Sequence, residues 1–106
     1  MGYVYLIRDC DSLTYKIGVT KQKPEKRLKQ LQTGNSCKLD LLYSFETDYP
    51  YRLEKMLHTY YSLYNEYNEW YSLNNEQITN FINTCNILQN NIEVLLKNPF
   101  FSKNIR

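Results

Sequence analysis

The sequence has little cysteine and only one histidine, which excludes the usual ways of cross-linking a small domain. Its three cysteines, Cys10, Cys37 and Cys85, are an odd number at wide spacing, and no pair has the two-residue interval typical of zinc sites. His58 is the one available nitrogen ligand. We therefore expect neither a disulfide framework nor a zinc finger, and we expect a reducing compartment.

Long apolar runs are absent as well. No segment approaches the ~20 consecutive apolar residues that span a bilayer, and the opening sequence MGYVYLIRDCD has no basic leader followed by an apolar stretch. We therefore expect no membrane association and a cytoplasmic location, which is the host cell cytoplasm if a phage or virus encodes the protein.

Glycine-rich linkers, internal repeats and low-complexity tracts are also missing. The 106 residues are 42% hydrophobic, 15% aromatic and 23% charged, which is the profile of one folded domain too small to divide. A core of this size leaves little room for a deep cavity. We expect a single domain over residues 1–98 with a shallow surface site, followed by a tail at residues 99–106.

Positive charge is concentrated in one stretch, although the net charge is only +2. Between Lys16 and Lys38 the basic residues face a single acid, Glu25. Such a cluster attracts phosphate backbones, but it is also typical of the solvated face of a helix, and charge alone does not decide between the two. The lysines predicted to contact nucleic acid are Lys21, Lys23, Lys26 and Lys29.

Three segments have the pattern of β-strands. Residues 2–8 are apolar on both alternating faces, which is typical of a strand covered on two sides. Residues 14–19 and 39–46 place apolar side chains mainly on one face. We predict that the first two segments form a hairpin and that the third pairs beside the first. The result is a three-stranded antiparallel sheet with the first strand in the centre.

Helical patterns fill much of the remaining chain. Pro24 and Pro50 suit the first position of a helix, and leucines at helical spacing follow each of them. A longer apolar stripe predicts a C-terminal helix over residues 75–98, which Pro99 stops. Asn74 begins this helix with the spacing of a capping box. The predicted fold is therefore α+β, a small antiparallel sheet flanked by helices.

Six short blocks stand in order along the chain. They are Gly2-Tyr3-Val4-Tyr5, Tyr15-Lys16-Ile17-Gly18, Arg27, Leu31-Gln32-Thr33-Gly34-Asn35, Leu53-Glu54-Lys55-Met56-Leu57-His58 and Glu69-Trp70-Tyr71. Any block alone would be weak, but the series resembles the GIY-YIG nuclease superfamily, and in particular its small phage, viral and microbial branch. The resemblance covers residues 2–73 and implies a GIY-YIG-like fold and cleavage of DNA.

The resemblance also implies roles for individual residues. Tyr5 matches the tyrosine that positions or deprotonates the attacking water, Arg27 the arginine that binds the scissile phosphate, and Glu54 the glutamate that holds Mg²⁺ or Mn²⁺. Lys16 stands where the superfamily name has its second tyrosine, and a lysine there serves as a base or as a phosphate contact. His58 lies four residues after Glu54 on the predicted helix, where it either supports Glu54 or accepts a proton.

These residue types suit phosphodiester hydrolysis on chemical grounds. The reaction needs a positioned water, cations near the nonbridging oxygens and help for the leaving oxygen. A carboxylate that binds Mg²⁺ through few protein contacts is normal for that ion. Gly18, on the same strand face as Lys16, would let a phosphate approach the backbone closely.

Each candidate also has a purely structural interpretation. Tyr5 at strand spacing is more often a core residue, and single cations in so basic a stretch are usually solvated. Glu54 and His58 would by default be an exposed helical pair. We interpret Glu69, before Trp70, as a cap or an ion-pair partner rather than as a catalytic group.

The leading hypothesis is a metal-dependent endonuclease that acts on DNA. The alternatives are a nucleic-acid-binding module with the same fold and little cleavage activity, which the missing second tyrosine favours, and a virion or assembly protein that binds another protein through its aromatic surface. The sequence leaves the oligomeric state and the DNA specificity open.

Overall fold

The computed structural model describes residues 1–97. The strands are β1 (Gly2–Asp9), β2 (Thr14–Thr20), β3 (Leu39–Thr47), β4 (Asn65–Tyr67) and β5 (Trp70–Tyr71). The helices are α1 (Pro24–Thr33), α2 (Pro50–Tyr60), α3 (Asn75–Thr79) and α4 (Phe81–Lys97), with a 3₁₀ turn at Ser62–Tyr64 after α2. The fold is α+β, as predicted, whereas the predicted tail and the stop at Pro99 lie outside the described residues.

The sheet has five antiparallel strands in the order β3-β1-β2-β5-β4, so the prediction of three strands was wrong. The first strand does lie between the second and the third, as predicted, but the middle strand of the whole sheet is β2. Strand β4 was not predicted, and the sequence leaves residues 69–73, which contain β5, open between a strand and an extended loop. These strands have only three and two residues, too few to show alternation.

Helices cover both faces of the sheet. Val4 and Leu6 of β1 pack with α2 and α4 in the larger core, whereas Tyr5 and Ile7 point to the other face and pack against Leu28 and Leu31 of α1. Since successive side chains of a strand point to opposite faces, the central residues 4–7 of β1 are buried and largely apolar on both sides. This arrangement puts α1 and α2 on opposite sides of the same strands.

The predicted C-terminal helix is divided into two at Asn80. The capping box at Asn74 is present, with Gln77 as its reciprocal partner, but α3 ends after one turn. Thr79 and Asn80 are weak helix formers, and the Asn80 carbonyl accepts hydrogen bonds from the backbone N–H and the hydroxyl of Thr84 at the start of α4.

Within residues 1–97, no helix combines the length and apolar character needed to cross a membrane.

Gly18 has a packing role that corrects the sequence-based expectation. It lies opposite Tyr5 in the β1–β2 register. A Cβ added at Gly18 would overlap the hydroxyl and the ring of Tyr5, so the space beside this glycine is filled by that ring. Gly18 therefore makes room for Tyr5 rather than for the close approach of a phosphate.

We expect Gly18→Ala to destabilise the fold by about 1–3 kcal/mol, because the added methyl group must displace a fully packed ring or the strand itself. Gly34→Ala is the matched control, since a Cβ at Gly34 meets no atom within 4 Å. Urea unfolding of the two variants measures the difference. Equal stability of Gly18→Ala and wild type would contradict the packing role.

Candidate functional site

The candidate site lies at the outer edge of β2. Strand β5 pairs with this edge only at Tyr15 and Lys16. At the next residue, Ile17, the N–H donates to the Glu69 carbonyl at 3.1 Å and the carbonyl contacts Nε2 of His58 at 3.0 Å. A side chain of α2 thus takes the place of a strand partner, which brings α2 to the edge of the sheet.

The contact with Ile17 defines how His58 can act. A carbonyl oxygen only accepts, so Nε2 of His58 must be the donor, and in the neutral ring the lone pair lies on Nδ1. The imidazole also lies against the ring of Tyr71, with centroids 5.7 Å apart. His58 is therefore held in place with one nitrogen available for a proton or a metal ion.

Tyr5 approaches the same edge from the α1 face. Its side chain is almost fully buried, and burial raises the pKa of its hydroxyl. A hydrogen bond from Arg27 and the charge of Arg27 oppose that rise in pKa, while the carboxylates of Glu69 and Glu54 add to it. Tyr5 is therefore a neutral phenol at physiological pH, which suits it to orient a water rather than to take its proton.

Lys16 contributes a cation at the centre of the site. Its Nζ lies 3.5 Å from Oε2 of Glu69 and 5.8 Å from the centroid of the Trp70 ring. Only 15% of the Lys16 side chain is exposed, so the ammonium group is held between a carboxylate and an aromatic face. This environment suits a contact to phosphate.

Glu54, His58 and Glu69 form a cluster that could hold a metal ion. One ligand atom from each lies within 4.8 Å of the others, and all three side chains are partly buried. Burial, and next the charge of Glu69, raise the pKa of Glu54, whereas His58 and Lys16 lower it. A partly buried Glu54 beside the negative charge of Glu69 is an arrangement that a bound cation relieves.

The donors in this cluster fit the cations expected from the sequence. Carboxylate oxygens are the preferred ligands of Mg²⁺, and Mn²⁺ also accepts them. Glu54 and Glu69 offer such oxygens from two different elements, α2 and the turn between β4 and β5. The chain's own residues therefore fit an ion of this class.

The structure brings together the five residues that were predicted to be catalytic or metal-binding: Tyr5, Lys16, Arg27, Glu54 and His58. It adds Glu69, which the sequence analysis interpreted as structural. Glu69 does form the expected ion pair, with Lys16, but it is also one of the three side chains that could hold a metal ion. The sequence signal for a functional Glu69 was its place in the Glu69-Trp70-Tyr71 block. The pairing of β5 with β2 is what brings Glu69 next to Lys16 in the structure.

The four predicted nucleic-acid-binding lysines are all exposed. Lys23, Lys26 and Lys29 line a shallow depression on the surface of α1. The Nζ of Lys21 lies 5.7 Å from the ring centroid of Tyr51 on α2. None of these four lysines belongs to the cluster of Glu54, His58 and Glu69. Any contact that they make with a phosphate backbone would therefore lie around the site rather than in it.

The raised pKa of Glu54 has a consequence for stability. The folded state binds this proton more tightly than the unfolded state does, so the ionised carboxylate is less favourable in the folded protein. This penalty is absent below the ordinary glutamate pKa of about 4.3 and complete above the raised value. In metal-free buffer, Glu54→Gln should therefore be more stable than wild type at pH 7.5 and equally stable near pH 4.

Urea unfolding of the two proteins at both pH values measures this effect. Glu66→Gln, which changes an exposed carboxylate on β4, is the control and should show no such pH-dependent gain. A Glu54→Gln variant that is less stable than wild type at pH 7.5 would show that the charge of Glu54 supports the fold instead.

Comparison with known proteins identifies the family. Residues 2–86 match the T5orf172 domain, a span that includes all six residues of the site described above. No curated protein and no solved structure matches the chain. The T5orf172 domain occurs in nuclease-like proteins of phages and bacteria. Because the match covers most of the sequence, the chain belongs to the T5orf172 domain family.

Proposed function

We propose that the protein is a metal-dependent endonuclease that hydrolyses phosphodiester bonds in DNA through a GIY-YIG-type site. The observation that supports this most is the meeting of two cations, two carboxylates, a histidine and a tyrosine at one edge of β2. The occurrence of the T5orf172 domain in nuclease-like proteins supports the same class of activity.

The proposal includes a divalent cation, Mg²⁺ or Mn²⁺, that Glu54 and Glu69 would hold. When bound, such an ion supplies a Lewis acid for the phosphate and for the leaving oxygen. The proximity of the Glu54 and Glu69 carboxylates and the raised pKa of Glu54 support this assignment.

The remaining residues divide the work of the reaction. Arg27 and Lys16 are cations of two different elements, and they would contact the nonbridging oxygens where negative charge builds up. Tyr5, a neutral phenol beside Arg27, would orient the attacking water. His58, whose Nδ1 carries the lone pair in the neutral ring, would accept the proton of that water.

Incubation of the protein with supercoiled plasmid and Mg²⁺ or Mn²⁺ tests the activity. Nicked circles should form, and a chelator should prevent their formation. Glu54→Gln should lower the nicking rate about 100-fold or more, since a metal ligand acts on the transition state, yet it should leave DNA affinity nearly unchanged. Gel analysis and anisotropy of a labelled oligonucleotide measure the two quantities.

Glu76→Gln, which changes an exposed carboxylate on α3, is the control and should nick like wild type. Nicking at the wild-type rate by Glu54→Gln would contradict the metal assignment. A wild type that binds DNA without cutting it would favour the binding module, for which the ion pair of Lys16 with Glu69 is the supporting observation. A protein that ignores DNA at low salt would favour the assembly role.

The lysines of α1 should govern affinity rather than chemistry. In the triple variant Lys23→Gln, Lys26→Gln and Lys29→Gln, we expect the plot of log affinity against log salt concentration to lose about 2–3 units of slope, because each phosphate contact contributes about 0.9. The nicking rate at saturating DNA should stay close to that of wild type. Lys55→Gln, on the outer face of α2, is the control and should leave the slope unchanged. An unaltered slope in the triple variant would remove α1 from the interface.

A further inference from the structure

An aromatic pair, Tyr67 and Trp70, lies beside the proposed catalytic residues and does not belong to the larger hydrophobic core. Tyr67 of β4 stacks on Trp70 of β5, with ring centroids 6.4 Å apart and an angle of 24° between the planes. Trp70 is anchored from within, because it packs on the α1 side of the sheet and carries the Lys16 ammonium over its ring. Tyr67 is 56% exposed, so a planar surface next to Lys16 and Glu69 faces solvent.

A second exposed tyrosine lies on the helix that carries the acidic ligand. Tyr51 precedes Glu54 by three residues and His58 by seven on α2, so all three share one stripe of the helix. The Tyr51 ring is 57% exposed, and the ammonium group of Lys21 lies 5.7 Å from its centroid. Each of the two aromatic surfaces near the site thus has a lysine next to it.

Exposed rings with adjacent cations are the elements of a surface that binds unpaired nucleotides. A base stacks on the ring, while the lysine contacts the neighbouring phosphate. A paired base in a duplex hides its faces in the stack, so a duplex could use the lysines but not the rings.

We propose that the substrate of this site is single-stranded or locally unpaired DNA, with Tyr51 and Tyr67 as stacking positions for bases on either side of the scissile phosphate. This inference rests on the proposed nuclease function and names its substrate class. It requires no new chemistry at the site, because the hydrolytic groups are those already described.

Binding in metal-free buffer tests the inference separately from cleavage. The probes are a 12-nucleotide DNA strand and the blunt duplex of the same sequence, each carrying a dye for anisotropy. The single strand should bind at least about 10-fold more tightly than the duplex. Trp70 is the only tryptophan in the chain, so quenching of its fluorescence by the single strand, and less quenching by an abasic strand, reports stacking at Tyr67 and Trp70.

Variants assign the effect to the two tyrosines. Tyr51→Leu and Tyr67→Leu should each lower affinity for the single strand roughly 5- to 150-fold, the loss of one base stacked on a ring, and should leave duplex affinity nearly unchanged. Tyr67→Phe keeps the ring and should retain the affinity. Tyr60→Leu is the matched control, because Tyr60 is also 57% exposed and also on α2, but its ring lies against Tyr61.

The results separate the inference from the proposed function. Equal or tighter binding of the duplex, or an equal loss of single-strand affinity in Tyr60→Leu, would overturn the substrate assignment. In that case a protein that still nicks plasmid remains a nuclease for duplex DNA. Conversely, selective binding of the single strand with no cleavage would support the stacking surface and contradict the nuclease.

Discussion

The fit of the Tyr5 ring over Gly18 is the packing constraint on which the candidate site depends. The two residues face each other across β1 and β2, and any side chain at position 18 would occupy the place of the ring. Because the ring lies there, the Tyr5 hydroxyl is buried beside Arg27 and within the field of Glu54 and Glu69. A backbone position without a side chain thus determines where a functional group of the neighbouring strand can lie.

The peptide groups of Ile17 connect the other half of the site to the sheet. The N–H of Ile17 holds the turn that carries Glu69, and its carbonyl holds His58 of α2. Two elements that are distant in sequence therefore meet at one residue of β2, which brings the carboxylate of Glu69 near that of Glu54. Burial, and next the charge of Glu69, raises the pKa of Glu54, and both follow from the way α2 and the β4–β5 turn cover this edge of β2.

Much of this arrangement could be predicted from the sequence, since strong local patterns mark β1, β2, β3 and the beginnings of α1 and α2. The order of blocks containing Tyr5, Lys16, Arg27 and Glu54 indicated the site before its geometry was known. The position of Glu69 depends on the pairing of the two-residue strand β5 with β2. A strand of two residues is too short to show a periodic pattern in the sequence. The break at Asn80 was missed because the apolar stripe continues across it, whereas the backbone of Asn80 ends α3 and its carbonyl accepts the first hydrogen bonds of α4, from Thr84.

The distribution of charge separates attraction of a polyanion from chemistry. At the edge of β2, Lys16 and Arg27 lie near Glu54 and Glu69, so the formal charges of the four groups cancel. The site itself therefore has little net electrostatic attraction for a polyanion. Net positive charge lies outside it, on α1 and at Lys21. Long-range attraction depends on net charge, whereas transition-state stabilisation depends on the position of individual charges within a few ångströms. A balanced site surrounded by exposed lysines can therefore concentrate a polyanion at its border while the paired groups keep their geometry. A divalent cation at the carboxylates would shift that balance toward positive charge at the place where the proposed function puts the scissile phosphate.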